Sequence, residues 1–304
     1  MENSNSQFVH ELAELLPPIG LHKAHKIKLI IHVGTPKTGT TSLQTYLGKK
    51  QGKLRRKGIL YPHNIERITN PSAPKHQWFE KNLVTTHVAH FFENFKNIVS
   101  QVDKETHTII LSSEGIYNYW WDIPDESKAL LSHLSTLFDT EVWVWFRDPV
   151  EFIESYYKQC IRNPAIDGNP CYGKDLSLSQ MLDTEWFAQH LNYKGFVADC
   201  RALFGESSVS LFEYENDVVQ AVIRKLGMAT PHDNPTPRQN SSLNSATISL
   251  LRTINKLDVK AKDKEILVPH LKQMNTILQS YAQDSLIDEE TRKRVMEIHQ
   301  PATN

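Results

Sequence analysis

The residues best suited to chemistry lie together near the start of the chain, in His32-Val33-Gly34-Thr35-Pro36-Lys37-Thr38-Gly39-Thr40-Thr41-Ser42-Leu43-Gln44. They follow the apolar run Lys28-Leu29-Ile30-Ile31-His32-Val33 and precede a segment with helical spacing. A turn between a strand and a helix aims several backbone N–H groups at one point and adds the positive end of the helix dipole, which makes an anion site. Hydroxyls at Thr38, Thr40, Thr41 and Ser42 add donors. The Gly34 to Gly39 spacing is that of the nucleotide-triphosphate loop G-x-x-x-x-G-K-[ST], but Thr40 follows the second glycine and the lysine stands earlier, at Lys37. In the triphosphate enzymes that later lysine reaches the β and γ phosphates, and a carboxylate on another strand helps to hold Mg²⁺. A purely structural use of the same residues would be a helix N-terminus with a capping hydroxyl.

A second constellation is Phe146-Arg147-Asp148-Pro149-Val150-Glu151-Phe152-Ile153-Glu154-Ser155. Here Arg147 leaves the end of an apolar run, Asp148 and Pro149 suit an N-cap and a first helical position, and Ser155 lies two turns on. An arginine and a hydroxyl converging at a helix start can grip a phosphate dianion. The structural alternative is an Arg-Asp salt bridge that caps the helix.

These groups need a scaffold, and the rest of the chain supplies its pattern. Short apolar runs at 28–33, 59–61, 108–113, 142–146 and 209–212 alternate with helical stretches at 41–57, 78–101, 125–138, 149–161 and 179–204. Such alternation implies right-handed crossovers and a mostly parallel sheet covered on both faces, a three-layer, P-loop-like α/β fold. Residues 1–26 read as an N-terminal extension whose helical spacing of Phe8, Leu12, Leu15 and Leu16 stops at Pro17 and Pro18. Residues 27–304 then form one domain, of which 229–304 is mainly helical, and the stretch 262–283 is expected to pack back on the sheet.

Composition narrows the function. The 304 residues carry 34 Lys and Arg against 35 Asp and Glu, a formal net charge of −1, so there is no global drive toward nucleic acid or anionic lipid. Cys160, Cys171 and Cys200 have no metal-ligand pairing, so neither a zinc site nor a disulfide framework is indicated. No apolar run is long enough to span a membrane and the N-terminus lacks the pattern of a secretory leader, so a soluble cytoplasmic protein is expected.

In the first motif, Pro36-Lys37-Thr38-Gly39-Thr40-Thr41-Ser42, and in the second, Arg147 with Ser155, the chain resembles the sulfotransferases that use 3′-phosphoadenosine 5′-phosphosulfate (PAPS), as a bacterial-type member. The resemblance covers roughly residues 27 to 215. It implies that 36–42 hold the 5′-phosphosulfate and that Arg147 and Ser155 hold the 3′-phosphate. Transfer of a sulfuryl group to a hydroxyl or amine shifts charge onto the bridging oxygen of the leaving phosphate, so a positioned cation such as Lys37 suffices and no metal is required.

A base must take the acceptor proton, and the family uses His or Glu at the mouth of the site. Glu114, at the end of Leu111-Ser112-Ser113, lies at the carboxyl edge where α/β ligands bind and is the first choice. His63, after the second run, has the more convenient ordinary pKa, and His76 is a further candidate. A helix cap or a salt bridge for Glu114 and surface positions for the histidines are the structural alternatives. Two softer features are the cations Lys49, Lys50, Lys53, Arg55, Arg56 and Lys57 and the loop around Arg238, which lacks the family's Arg-Lys-Gly. The alternatives to a sulfotransferase are a P-loop nucleotide kinase, which would carry Lys at position 40 and an acidic Mg²⁺ ligand, and a non-catalytic polyanion-binding module. The acceptor, a small molecule or a glycan, is not encoded in any motif.

Overall fold

The computed structural model describes residues 10, 11, 14, 26–35, 40–63, 76–213, 218–228, 243–257, 259–282 and 285–302. Its frame is a five-stranded parallel sheet of β1 (Lys28–Gly34), β2 (Ile59–Leu60), β3 (Thr108–Ser112), β4 (Asp139–Phe146) and β5 (Val209–Glu213), in the order β2-β3-β1-β4-β5. The central strands β1 and β3 are short, rich in Ile and Leu and buried on both faces, as parallel sheets require.

Helices flank the sheet in the α/β arrangement that the alternation of apolar runs implied. The described residues divide between two compact units, one within Met1–Phe146 and Gly195–Pro237, the other within Arg147–Lys194 and Arg238–Ala302. In the first unit α1 (Thr40–Lys49) and α2 (Gln51–Arg55) bury Leu43, Leu47 and Leu54 with α11 (Val218–Lys225) against Ile30, Ile110, Trp143 and Trp145. Trp145 stacks on Phe212 at 4.1 Å, so aromatic rings seal this face where β4 meets β5. Side chains alternate along a strand, so the opposite face receives Val144 and Phe146. There α5 (Gly115–Asn118) sets Tyr117 against Phe146 and Phe196. Also in this unit are α3 (Trp78–Val84), α4 (Val88–Ser100) and α6 (Asp125–Leu137), while α10 (Tyr193–Phe204) supplies Phe196.

The second unit is built on α7 (Pro149–Arg162), with α8 (Leu178–Leu182), α9 (Glu185–Ala188), α12 (Ser245–Asn255), α13 (Ala261–Ile277) and α14 (Glu289–Ile298). Phe152, Tyr156 and Phe187 stack in its core. The C-terminal stretch expected to return to the sheet packs on α12 within this unit. Buried Lys264 of α13 donates to the carbonyls of Ile161 at 2.8 Å and Asn163 at 2.6 Å, satisfying acceptors that the end of α7 leaves open. No helix among the described residues is long and apolar enough to cross a membrane.

Candidate functional site

Topology selects the place. β1 lies between β3 and β4; the chain leaves β1 toward β2 on one side, and β4 toward β5 on the other. The carboxyl ends of β1 and β4, whose connections run to opposite sides, are the place where open α/β sheets bind ligands. Gly34 pairs in register with Trp145, and the buried Thr35 donates its N–H to the Trp145 carbonyl at 3.1 Å. Pro36, Lys37, Thr38 and Gly39 lie outside the described residues. The described residues resume at Thr40, from which α1 runs to Lys49.

Thr40 is buried, and its Oγ1 donates to Oε2 of Glu114 at 2.5 Å. The structure thus joins two sequence candidates from separate parts of the chain, one at the start of α1 and one just past the end of β3. Glu114 occupies the N-cap position of α5 but makes no side-chain capping bond. It is half-buried, with an oxygen held in a fixed direction, as a base must be before an acceptor arrives.

Glu80, which the sequence did not single out, stands directly behind Glu114. Its Oε2 accepts the Ser113 hydroxyl proton at 2.6 Å. Burial pushes its pKa up to about 8, the Ser113 bond opposes the shift, and the charge of Glu114 adds to it. In sequence Glu80 is one acidic residue of a helix, and only its place between Phe79 and the apolar Leu83 hints that it is buried.

Beneath the same strand ends lies a polar network centred on Ser112. His32 Nδ1 is 2.8 Å from its hydroxyl, and Gln44 Nε2 donates to its Oγ at 3.2 Å and to its carbonyl at 3.3 Å. The Ser112 N–H donates to His76 Nδ1 at 2.9 Å, which leaves the imidazole proton on Nε2, where it is given to the Pro62 carbonyl at 3.1 Å. Both nitrogens of His76 are thereby engaged, and burial holds its pKa down at about 4. It is a structural histidine inside the protein, neither at the surface nor free to take a proton. His63 is exposed, and its backbone exchanges hydrogen bonds with the Gln101 side chain.

In the second unit the start of α7 is built as its sequence suggests. Asp148 Oδ1 accepts from the N–H groups of Val150 and Glu151, both at 3.0 Å, with Pro149 in the first helical turn. The Nε of Arg147 donates to Glu151 Oε2 at 2.8 Å, while its carbonyl accepts the Tyr193 hydroxyl proton at 3.0 Å. Ser155 is half-buried one turn beyond Glu151, on the same side of the helix.

The cations Lys49, Lys50, Lys53, Arg56 and Lys57 stand exposed at the far end of α1 and along α2, whereas Arg55 turns inward to Thr106 and Asp103. Arg238 lies outside the described residues. Among the described residues no group of three or more His, Cys, Asp or Glu side chains could hold a metal ion. Neither a model of a known protein family nor a curated protein matches the chain.

Proposed function

We propose that this chain is a PAPS-dependent sulfotransferase, moving a sulfuryl group to a hydroxyl or amine of a small molecule or glycan. The observation that carries the reading is the bond between Thr40 and Glu114. It ties the residue that follows the Pro36-Lys37-Thr38-Gly39 sequence to a carboxylate just past the neighbouring strand. A phosphate-binding sequence and a general base are what this reaction needs at one sheet edge.

PAPS when bound supplies a sulfuryl group on an oxygen that becomes a phosphate oxygen as the bond breaks. The first-turn amides of α1 are donors for its 5′-phosphosulfate, with the hydroxyls of Thr41 and Ser42 beside them. Lys37 is assigned to the bridging oxygen, where negative charge grows, and Arg147 with Ser155 to the 3′-phosphate. Glu114 takes the proton of the acceptor, and the Thr40 hydroxyl keeps its carboxylate aimed while it does so. The acceptor proton thus ends on Glu114 and the leaving charge on the nucleotide, with no role left for His76. Three buried free thiols, Cys160, Cys171 and Cys200, suit a reducing compartment such as the cytoplasm.

A thermal-shift panel of adenosine 3′,5′-bisphosphate, ATP, GTP and NAD, each with Mg²⁺ and with chelator, tests the reading. The bisphosphate should stabilise the fold by about 3 kcal/mol at a hundred times its dissociation constant, with or without Mg²⁺. Stabilisation by ATP alone that disappears with chelator would replace the sulfotransferase with the kinase.

A further inference from the structure

Glu80 is a second carboxyl at the end of β3, outside the chemistry assigned to Glu114. It is 3% exposed, on a helix whose Trp78 and Phe79 pack into the rings of Phe91 and Phe95. Its contacts fall on the two neighbours of Glu114. On one side Ser113 Oγ donates to Glu80 Oε2 at 2.6 Å and accepts the Gly115 N–H at 3.3 Å. On the other side the carboxyl lies against Gly115, where a Cβ would stand 2.3 Å from Oε1 and 2.5 Å from Cδ. Ser113 and Gly115 flank Glu114 in the chain, so the Glu80 carboxyl is wedged against the turn that sets the direction of the Glu114 side chain.

We propose that Glu80 is a positioning residue for Glu114: locked between Ser113 and Gly115, it fixes the turn that aims the Glu114 carboxylate at Thr40. The inference rests on Glu114 serving as the base. The charges around Glu80 are few. The charge of Glu114 raises its proton affinity and that of the exposed Lys81 lowers it. Near neutral pH Glu80 therefore keeps its proton, held there mainly by burial, and Glu114 stands beside a neutral carboxyl. At alkaline pH a second negative charge appears beside the first, and the two carboxylates repel each other.

Two measurements on the full chain test this. Carbon-13 carboxyl spectra of glutamate-labelled protein should show the Glu114 signal moving in the pH range where Glu80 titrates, and Glu80→Gln should abolish that movement. Hydrolysis of PAPS by water, giving adenosine 3′,5′-bisphosphate, sulfate and a proton, needs no identified acceptor. Glu80→Ala should lower its kcat by about tenfold to a hundredfold with little change in KM for PAPS. Glu80→Gln should restore most of the rate and extend activity to higher pH than the wild type. A Glu114 signal blind to Glu80, or a Glu80→Gln enzyme as slow as Glu80→Ala, would overturn the proposal. Failure of adenosine 3′,5′-bisphosphate to stabilise the wild type would instead remove the sulfotransferase reading, and the carboxyl spectra would still decide whether Glu80 governs Glu114.

Discussion

Arg147 gives its Nε–H to Glu151, 2.8 Å away and one helical turn along α7. The guanidinium is thereby laid along the side of the helix that carries Ser155, with a carboxylate beside it that a phosphate must outcompete. Glu151 is well exposed, so the pair contributes only about 0.2 to 1 kcal/mol. Glu151→Gln should therefore tighten adenosine 3′,5′-bisphosphate about twofold to fivefold and leave adenosine 5′-phosphate unchanged. Arg147→Ala and Ser155→Ala should weaken the first ligand far more than the second, since a charge-assisted bond contributes roughly 1.5 to 3 kcal/mol. Calorimetry on both ligands decides it, and equal losses would mean that Arg147 and Ser155 serve the fold.

Lys37 and Glu114 should separate binding from turnover in opposite parts of the same reaction. Charge on the bridging oxygen appears mainly in the transition state, so Lys37→Ala should lower turnover more than nucleotide affinity. Glu114→Gln keeps the Thr40 bond possible but cannot accept a proton, and should cost about 10² to 10⁴ in rate with affinity nearly intact. Turnover at saturating PAPS is compared with His63→Ala. If His63→Ala collapses while Glu114→Gln is near normal, the base is His63.

Local rules made much of this legible in the sequence. The N-cap Asp148 and the following Pro149 act within three residues of themselves, and the structure places both as expected. Non-local compensation was not legible. β4 begins at Asp139, three residues before its apolar run, because Glu141 is held by Lys28, Ser210 and Lys225 from other parts of the chain. The stretch 78–101 is two helices, broken at Thr86 with φ 55°, where neither glycine nor proline marks the break. Glu80 escaped notice for the same reason, since its partner Ser113 lies 33 residues away.

The buried histidines give the fold a defined acid limit. Burial lowers the pKa of His32 to about 3 and that of His76 to about 4, against about 6.5 in an unfolded chain. Between those values the unfolded state binds more protons, so their stabilising contribution is complete above pH 6.5 and is lost as the pH falls. Each histidine contributes a slope of up to about 1.4 kcal/mol per pH unit. Glu80 acts in the opposite direction: with its pKa raised to about 8, its contribution is complete below its unfolded value and lost as the pH rises. In a Glu80→Gln background, urea unfolding between pH 7 and pH 5 should therefore show a steeper acid loss than in the wild type. Adding His76→Asn should make it shallower by about half. An unchanged slope in the double variant would mean that His76 is not held neutral in the folded protein.

The contact between Gly115 and Glu80 can be tested by stability alone. Gly115 does not have a positive φ, and alanine would favour the helix it opens, so backbone conformation gives no reason for glycine there. The reason is space. A Cβ would meet Glu80 at Oε1, Cδ and Cγ, at 2.3, 2.5 and 2.7 Å, and a side chain this buried has nowhere to retreat. Gly115→Ala should cost about 1 to 3 kcal/mol by overpacking. Glu80→Ala should cost a similar amount, because it leaves a cavity and strips the Ser113 hydroxyl of its acceptor. In the double variant the new methyl enters the space that the carboxyl vacates, so the two losses should fall short of their sum by about 1 kcal/mol or more. Urea unfolding of the four proteins at pH 7 measures the difference, and strict additivity would show that Glu80 does not lie against this turn.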